Sequence, residues 1–350
     1  MTVPMSPKFE LLKRLKAFIG AEGRSPASSQ TVYFVAHNLN HYRLMAETCE
    51  ILGAAGNATM FVCVELAKTA PELIAHWDRI KLPYLGLIRM QQMIRKGDIV
   101  VVCNDWGPRY LIDALHRIQR SGAKVIGLVE GTRFQMPGRY ELVDELLVWG
   151  PSGSEAFDVP THIVGSPGLE GDWVGSRVRQ RGRRCLINYK FTYDERKADQ
   201  DFGWLEKVTS AAHACGTECT ISLHPANDPL PANYSVSDKP ILELLQDACV
   251  VVTRSSTVVY EALLTGVPVV LFPTSGENLV ELAEPMGAFE IARSSEELAR
   301  MIAKATGDGL SEAASASFLD RHISYLPERS SSQRISDVLL NLVLDQKHQR

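Results

Sequence analysis

The chain has 350 residues, 45% hydrophobic and 22% charged, with a formal net charge of −4. That suits a globular protein of about two domains and excludes the strong overall basic field of a nucleic-acid-wrapping protein. No apolar run reaches the roughly 18 residues that cross a bilayer. The seven cysteines are scattered and odd in number, which reads as small core residues in a reducing compartment.

The first thirty residues carry Lys8, Lys13, Arg14 and Lys16 between interrupted apolar positions, which is not a signal-peptide pattern. Phe9 to Ile19 is amphipathic and basic: a solvated helix packing one face, or a contact with an anionic membrane surface. A strand follows over Thr31 to His37, then a helix over Tyr42 to Leu52 and a strand over Ala58 to Val64. Asp98 to Cys103 is a strand, Pro108 to Arg120 a helix, and Lys124 to Val129, Glu145 to Trp149 and Thr161 to Val164 are further strands. Short Val- and Ile-rich runs alternating with amphipathic helices predict a parallel sheet covered on both faces.

The second half repeats the rhythm. Strands are expected at Arg184 to Tyr189, Cys219 to Leu223, Cys249 to Thr253, Val267 to Phe272 and Ala288 to Ile291. Helices are expected at Asp201 to Ala214, Ile241 to Asp247, Thr257 to Leu264, Ser295 to Ala305 and Ile335 to Leu344. The Gly- and Arg-rich stretch between the halves is a composition break. The expected architecture is α/β: two doubly wound Rossmann-like domains facing a cleft. Residues 1–165 form the first, 166–183 a linker, 184–325 the second, and 326–350 end in a helix that packs back on the first.

Ligands of such sheets bind beyond the carboxyl ends of the strands. The residues there are His37 and Asn38, Asn104 and Asp105, Glu130, Tyr189 and Lys190, His224, and Ser255 to Thr257. Three consecutive hydroxyls at a strand-to-helix turn exceed what one N-cap needs and suit an anion such as phosphate. His224, followed by a proline that stops its strand, can donate to the same anion. Glu130 precedes Gly131 and can act as a general base or a nucleophile, or pair with Arg133 or Arg139. Asp105 is the competing carboxylate. His37, Asn38 and Arg133 are candidates for the acceptor side.

These residues carry a resemblance. "SSTVVYEALLTGVPVVLF" resembles the nucleotide-sugar segment of GT-B glycosyltransferases. "LHP" and "VEGTRF" are similar to the His-Pro and acidic-Gly motifs of bacterial sialic acid and Kdo transferases, which use CMP-sugars in surface-polysaccharide synthesis. The resemblance implies that His224, Ser255, Ser256 and Thr257 hold donor phosphate. It makes Glu130 the catalytic carboxylate and sets Glu261 on the ribose hydroxyls, with Lys190, Glu277 and Asn278 beside the nucleoside or sugar. It implies no metal and no cofactor, and a glycan or lipid-linked glycan acceptor. It places the protein in the cytoplasm, with or without peripheral contact to the inner membrane face. Val129 stands where those families pair a second acid with Glu130, and Thr253 stands where retaining enzymes begin Glu-x7-Glu. Donor identity and stereochemistry therefore stay open. A UDP-GlcNAc 2-epimerase-like enzyme, a GT-B transferase using a UDP-sugar or another phosphate-activated donor, and a non-catalytic carbohydrate- or nucleotide-binding module are the alternatives.

Overall fold

The computed structural model describes residues 30–64, 71–80, 84–106, 108–131, 139–171, 182–189, 202–223, 229–274, 277, 279–307, 309, 311–324, 326 and 328–348. The readings placed on Phe9 to Ile19, Arg133, Lys190, His224 and Asn278, and on much of the Gly/Arg-rich linker, lie outside these residues. The described residues fall into two compact units. Unit 1 is drawn from within Met1–Glu130, Met136–Gly168 and Leu326–Arg350, and unit 2 from within Gly131–Gln135 and Leu169–Tyr325.

Unit 1 holds a sheet of seven parallel strands: β1 (Thr31–Ala36), β2 (Ala58–Cys63), β3 (Tyr84–Gly86), β4 (Ile99–Val102), β5 (Lys124–Leu128), β6 (Glu145–Val148) and β7 (Thr161–Ile163), in the order β3-β2-β1-β4-β5-β6-β7. All six residues of β1 are buried, as a central parallel strand covered on both faces requires. The crossovers run through α1 (Leu39–Ala54), α2 (Pro71–Ile80), α3 (Leu87–Met93), α4 (Arg109–Arg120) and the single turn α5 (Pro151–Ser154). α4 shows why such segments fold as helices: Leu111, Ala114, Leu115 and Ile118 recur at helical spacing and are the residues it buries.

Unit 2 repeats the plan with six parallel strands: β8 (Arg184–Tyr189), β9 (Glu218–Leu223), β10 (Val236–Ser237), β11 (Ala248–Thr253), β12 (Val269–Leu271) and β13 (Glu290–Ile291), in the order β10-β9-β8-β11-β12-β13. Its helices are α6 (Phe202–Ala214), α7 (Ile241–Gln246), α8 (Val258–Leu264), α9 (Ser295–Gly307) and α10 (Glu312–Ile323). Trp204, Leu205 and Val208 of α6 pack with Cys185, Ile187 and Val252 of the sheet into one core.

In each unit the strand order reverses direction once, between β1 and β4 and between β8 and β11. Crossovers depart to opposite sides there, an arrangement that opens a crevice at the carboxyl ends of the strands.

The last helix, α11 (Ser331–His348), belongs to unit 1. The Ser330 hydroxyl accepts from the Gln333 amide at 3.2 Å and the Gln333 side chain accepts from the Ser330 amide at 3.1 Å, a reciprocal capping box. Ile335, Leu339, Leu342 and Val343 then join the core of β1, β2, β4 and α1. Gly165, at φ +80°, has no room for a side chain, because a Cβ would lie 2.1 Å from Arg334 Nη2 and 2.3 Å from Ser331 Oγ. Leu339 is 0% exposed. Leu339→Ala is therefore expected to cost unit 1 about 2–5 kcal/mol. Hydrogen exchange should show the loss in amides of β1 and α1 and leave those of β8 and β11 protected; an unchanged pattern would mean that α11 is not part of this core.

Candidate active site

The carboxyl edge of unit 1 gathers His37, Asn38, His41, Asn104, Asp105 and Glu130. Asn38 caps α1, its side-chain oxygen accepting from the His41 amide at 2.9 Å. That cap starts the helix at Leu39, three residues before the expected Tyr42, and puts His41 in the first turn. The His41 ring, 2% exposed, stands edge-on to that of His37 with centroids 5.3 Å apart. Its Nδ1 accepts from the His37 amide at 3.4 Å, which assigns the proton of the neutral ring to Nε2. Nε2 in turn bonds the Glu130 carboxylate at Oε2. Glu130 is 28% exposed, so the histidine is enclosed while the carboxylate still reaches solvent. The arrangement orients a carboxylate with a buried imidazole at the open edge of a parallel sheet. Chemically the carboxylate can accept a proton from a bound hydroxyl while the imidazole N–H holds it in place.

Asp105 is engaged differently. It is 2% exposed and accepts from the backbone amides of Tyr140 at 2.6 Å and Leu142 at 2.7 Å, using both oxygens. Burial raises its pKa, and the two amide bonds work against that rise. Tyr140 sits at φ 56°, a left-handed conformation that costs energy and persists only where its surroundings impose it. Its hydroxyl also donates to the Cys103 carbonyl at 2.9 Å. Asp105 thus shapes the loop before β6. Beside it, the side-chain oxygen of Asn104 is buried with no hydrogen-bond partner among the described residues.

In unit 2, the Thr253 hydroxyl donates to Asn188 Oδ1 at 3.0 Å, tying the ends of β11 and β8 together at the strand-order reversal. Thr253 is 0% exposed, so the position that carries an acid in Glu-x7-Glu enzymes is here an internal tie. Arg254 follows, 5% exposed. Its guanidinium lies 4.8 Å from the Trp204 ring centroid and 5.7 Å from that of Tyr189, and its Nε is 3.6 Å from Glu277 Oε1. The side chain of Glu277 is 8% exposed, so the carboxylate expected beside a donor sugar is enclosed against an arginine. Ser255 and Ser256 are 7% and 9% exposed. Ser256 Oγ accepts from the Val258 amide at 3.4 Å, whereas Thr257, in the cap position of α8, makes no side-chain cap bond. One hydroxyl of the three serves the helix start.

Glu261, in the first turn of α8, has its pKa pushed up from 4.5 to about 7 because burial strips water from the charged form. Sequence reasoning missed His41 and gave Arg254 no role. Arg254 did leave a signal, a lone arginine that interrupts an apolar run.

No protein-family profile and no curated protein sequence matches the chain. Solved structures do. A spinosyn forosaminyltransferase, SpnP, aligns over 91% of this chain and 100% of its own with TM-score 0.56 and 16% identity. The UDP-GlcNAc 2-epimerase of Methanocaldococcus jannaschii, in complex with UDP-GlcNAc and UDP, aligns over 89% and 100% with TM-score 0.60 and 12% identity. MurG of Acinetobacter baumannii aligns over 89% and 99% with TM-score 0.57 and 11% identity. The chain has the two Rossmann-like units of the GT-B fold.

Glu261 yields a prediction. Its folded pKa lies above its unfolded one, so the stability it contributes is complete below the unfolded value of 4.5 and is lost as pH climbs to about 7. Glu261→Gln is expected to flatten that decline and to be the more stable protein at alkaline pH. Melting temperatures of both proteins, taken from near pH 5 to near pH 8, read the difference directly; parallel curves would show that the carboxyl is solvated.

Proposed function

We propose that the chain is a glycosyltransferase that moves a sugar from a nucleotide-activated donor to a hydroxyl of a glycan acceptor. The observation that carries the reading is the Glu130–His41 pair at the carboxyl edge of the unit 1 sheet. Glu130 takes the proton of the acceptor hydroxyl. The freed oxygen forms the new bond to the anomeric carbon, the bond from that carbon to the donor phosphate breaks, and the phosphate leaves with the electron pair. His41 is a positioning residue, since its Nε2–H fixes the carboxylate through which it acts. His37, Asn38 and Arg133 serve the acceptor. Ser255, Ser256 and Thr257, with His224, hold the phosphate, and Glu261 takes the ribose hydroxyls. Lys190 and Asn278 stay assigned to the nucleoside or sugar. Glu277 acts through Arg254, and Asp105 through the loop it holds. No metal or cofactor enters this scheme, because hydroxyls, amides and an imidazole meet the charge on the leaving phosphate.

A CMP-sugar donor and a surface-polysaccharide acceptor handled in the cytoplasm follow from the Leu-His-Pro and Val-Glu-Gly motifs. A UDP-sugar donor is the second reading, supported by the UDP-GlcNAc complex of the archaeal epimerase, whose fold this chain shares. Thermal shifts with CMP, UDP and dTDP separate the two, since a ligand at about 100 times its dissociation constant stabilises by about 2.7 kcal/mol. An epimerase would instead convert UDP-GlcNAc with no acceptor present.

Glu130→Gln is expected to lower turnover by about 100-fold or more while donor affinity holds, because positioned proton transfer contributes about 10² to 10⁴. His41→Ala should lower kcat and spare donor binding. Asp105→Asn should act on stability, with a loss of about 1–3 kcal/mol from an unmet backbone amide. Steady-state kinetics beside melting curves test all three; full turnover in Glu130→Gln would overturn the assignment.

A further inference from the structure

The outer face of α3 and α4 uses none of the groups assigned above. The two helices pack together, and Arg117 Nη1 donates to Gln91 Oε1 at 3.5 Å across their seam. α3 buries Leu87 and Met90 and exposes Ile88 and Arg89. α4 buries its apolar stripe and exposes Arg109, Tyr110, Asp113, His116, Arg117 and Arg120. Arg95 and Lys96, just past α3, are exposed as well. From Leu87 to Arg120 the chain carries six Lys and Arg against three Asp. Two of those acids are turned inward: Asp98, 4% exposed, accepts from the Thr31 and Arg95 amides, and Asp105 holds the loop described above. The result is a cationic face on a chain whose net charge is −4. An open hollow of about 590 Å³ lies along it, lined by Asp113, His116, Arg117, Gln119 and Arg120. Two apolar tips stand among the cations: Ile88 is 75% exposed and Tyr110 44%.

We propose that this face docks on an anionic lipid bilayer, with Arg89, Arg109, Arg117 and Arg120 over the phosphate headgroups and Ile88 and Tyr110 dipping among the acyl-chain ends. Charge complementarity names the surface, since a few basic residues near anionic lipid attract it additively and within a Debye length. The apolar tips select a bilayer over a soluble polyanion, because an exposed isoleucine gains only where it can leave water. Docking by this face goes beyond glycosyl transfer.

The test uses the full chain and co-sedimentation with two kinds of vesicle, phosphatidylcholine alone and phosphatidylcholine mixed equally with phosphatidylglycerol. Binding is expected to the anionic vesicles only and to be reversed by molar salt. Arg117→Glu with Arg120→Glu should lower partitioning about tenfold or more, and Ile88→Ser should weaken it while leaving the charge in place. Turnover of a soluble acceptor by the unbound variants should match the parent, so a failed docking face and a failed transferase reading give separate results. Binding that survives the double charge reversal overturns the proposal and returns the contact to the segment before residue 30. No binding to either vesicle overturns it as well. So does equal binding to a DNA duplex with no effect of Ile88→Ser, which would make the face a general polyanion site.

Discussion

A parallel strand cannot return to its neighbour by a tight turn, and this constraint organises the molecule. Each parallel pair needs a crossover long enough to traverse the sheet, and the crossovers here are mostly helices lying on its faces. All pairings in both sheets are parallel. The strands therefore deliver their carboxyl ends to one edge, and the faces are closed by apolar contacts. Polar side chains with chemistry to do have one place to go. Where strand order reverses, after β1 and β4 and after β8 and β11, neighbouring crossovers depart to opposite faces, which favours a crevice at that edge. His37, Asn38 and Asn104 follow one pair of strands; Arg254, Ser255 and Ser256 follow the second strand of the other.

Two acid–base pairs at these edges show how burial separates structural from chemical roles. Arg254 and Glu277 are both enclosed, at 7% and 8% side-chain exposure, and the guanidinium lies over two aromatic rings. Removing either partner would strand a charge out of water, so the pair holds the loop that carries the hydroxyls. Glu130 and His41 differ by being asymmetric. The imidazole is enclosed and the carboxylate half open, so one member fixes the geometry and the other can meet a substrate.

The alternation of strand and helix was legible because buried parallel strands leave compact Val- and Ile-rich runs. β8 falls at the very residues expected, Arg184 to Tyr189. α2, α3, α5, α10, β3 and β10 were missed. β3 is three residues long and β10 two, too short for any periodicity to show. α3 buries only Leu87 and Met90 through its two turns. At the site, Glu130 was legible because it ends a clear strand run. His41 was not, because the Asn38 cap that draws it into a helix is a side-chain bond, and hydrophobic spacing carries no record of it. Glu277 was legible as a residue near the donor but not as a buried partner, since that depends on where Arg254 turns.

The return of α11 to unit 1 sets an order of events during synthesis. A ribosome delivers the chain from its amino end, and domains commonly close as they emerge. Unit 2, whose residues lie within Gly131–Gln135 and Leu169–Tyr325, has its own core in hand before α11 is made. Unit 1 does not: the stripe from Ile335 to Val343 that covers β1 and α1 arrives last. The nascent first unit must wait with that apolar face uncovered while the second folds. The half of the protein encoded first is the half completed last.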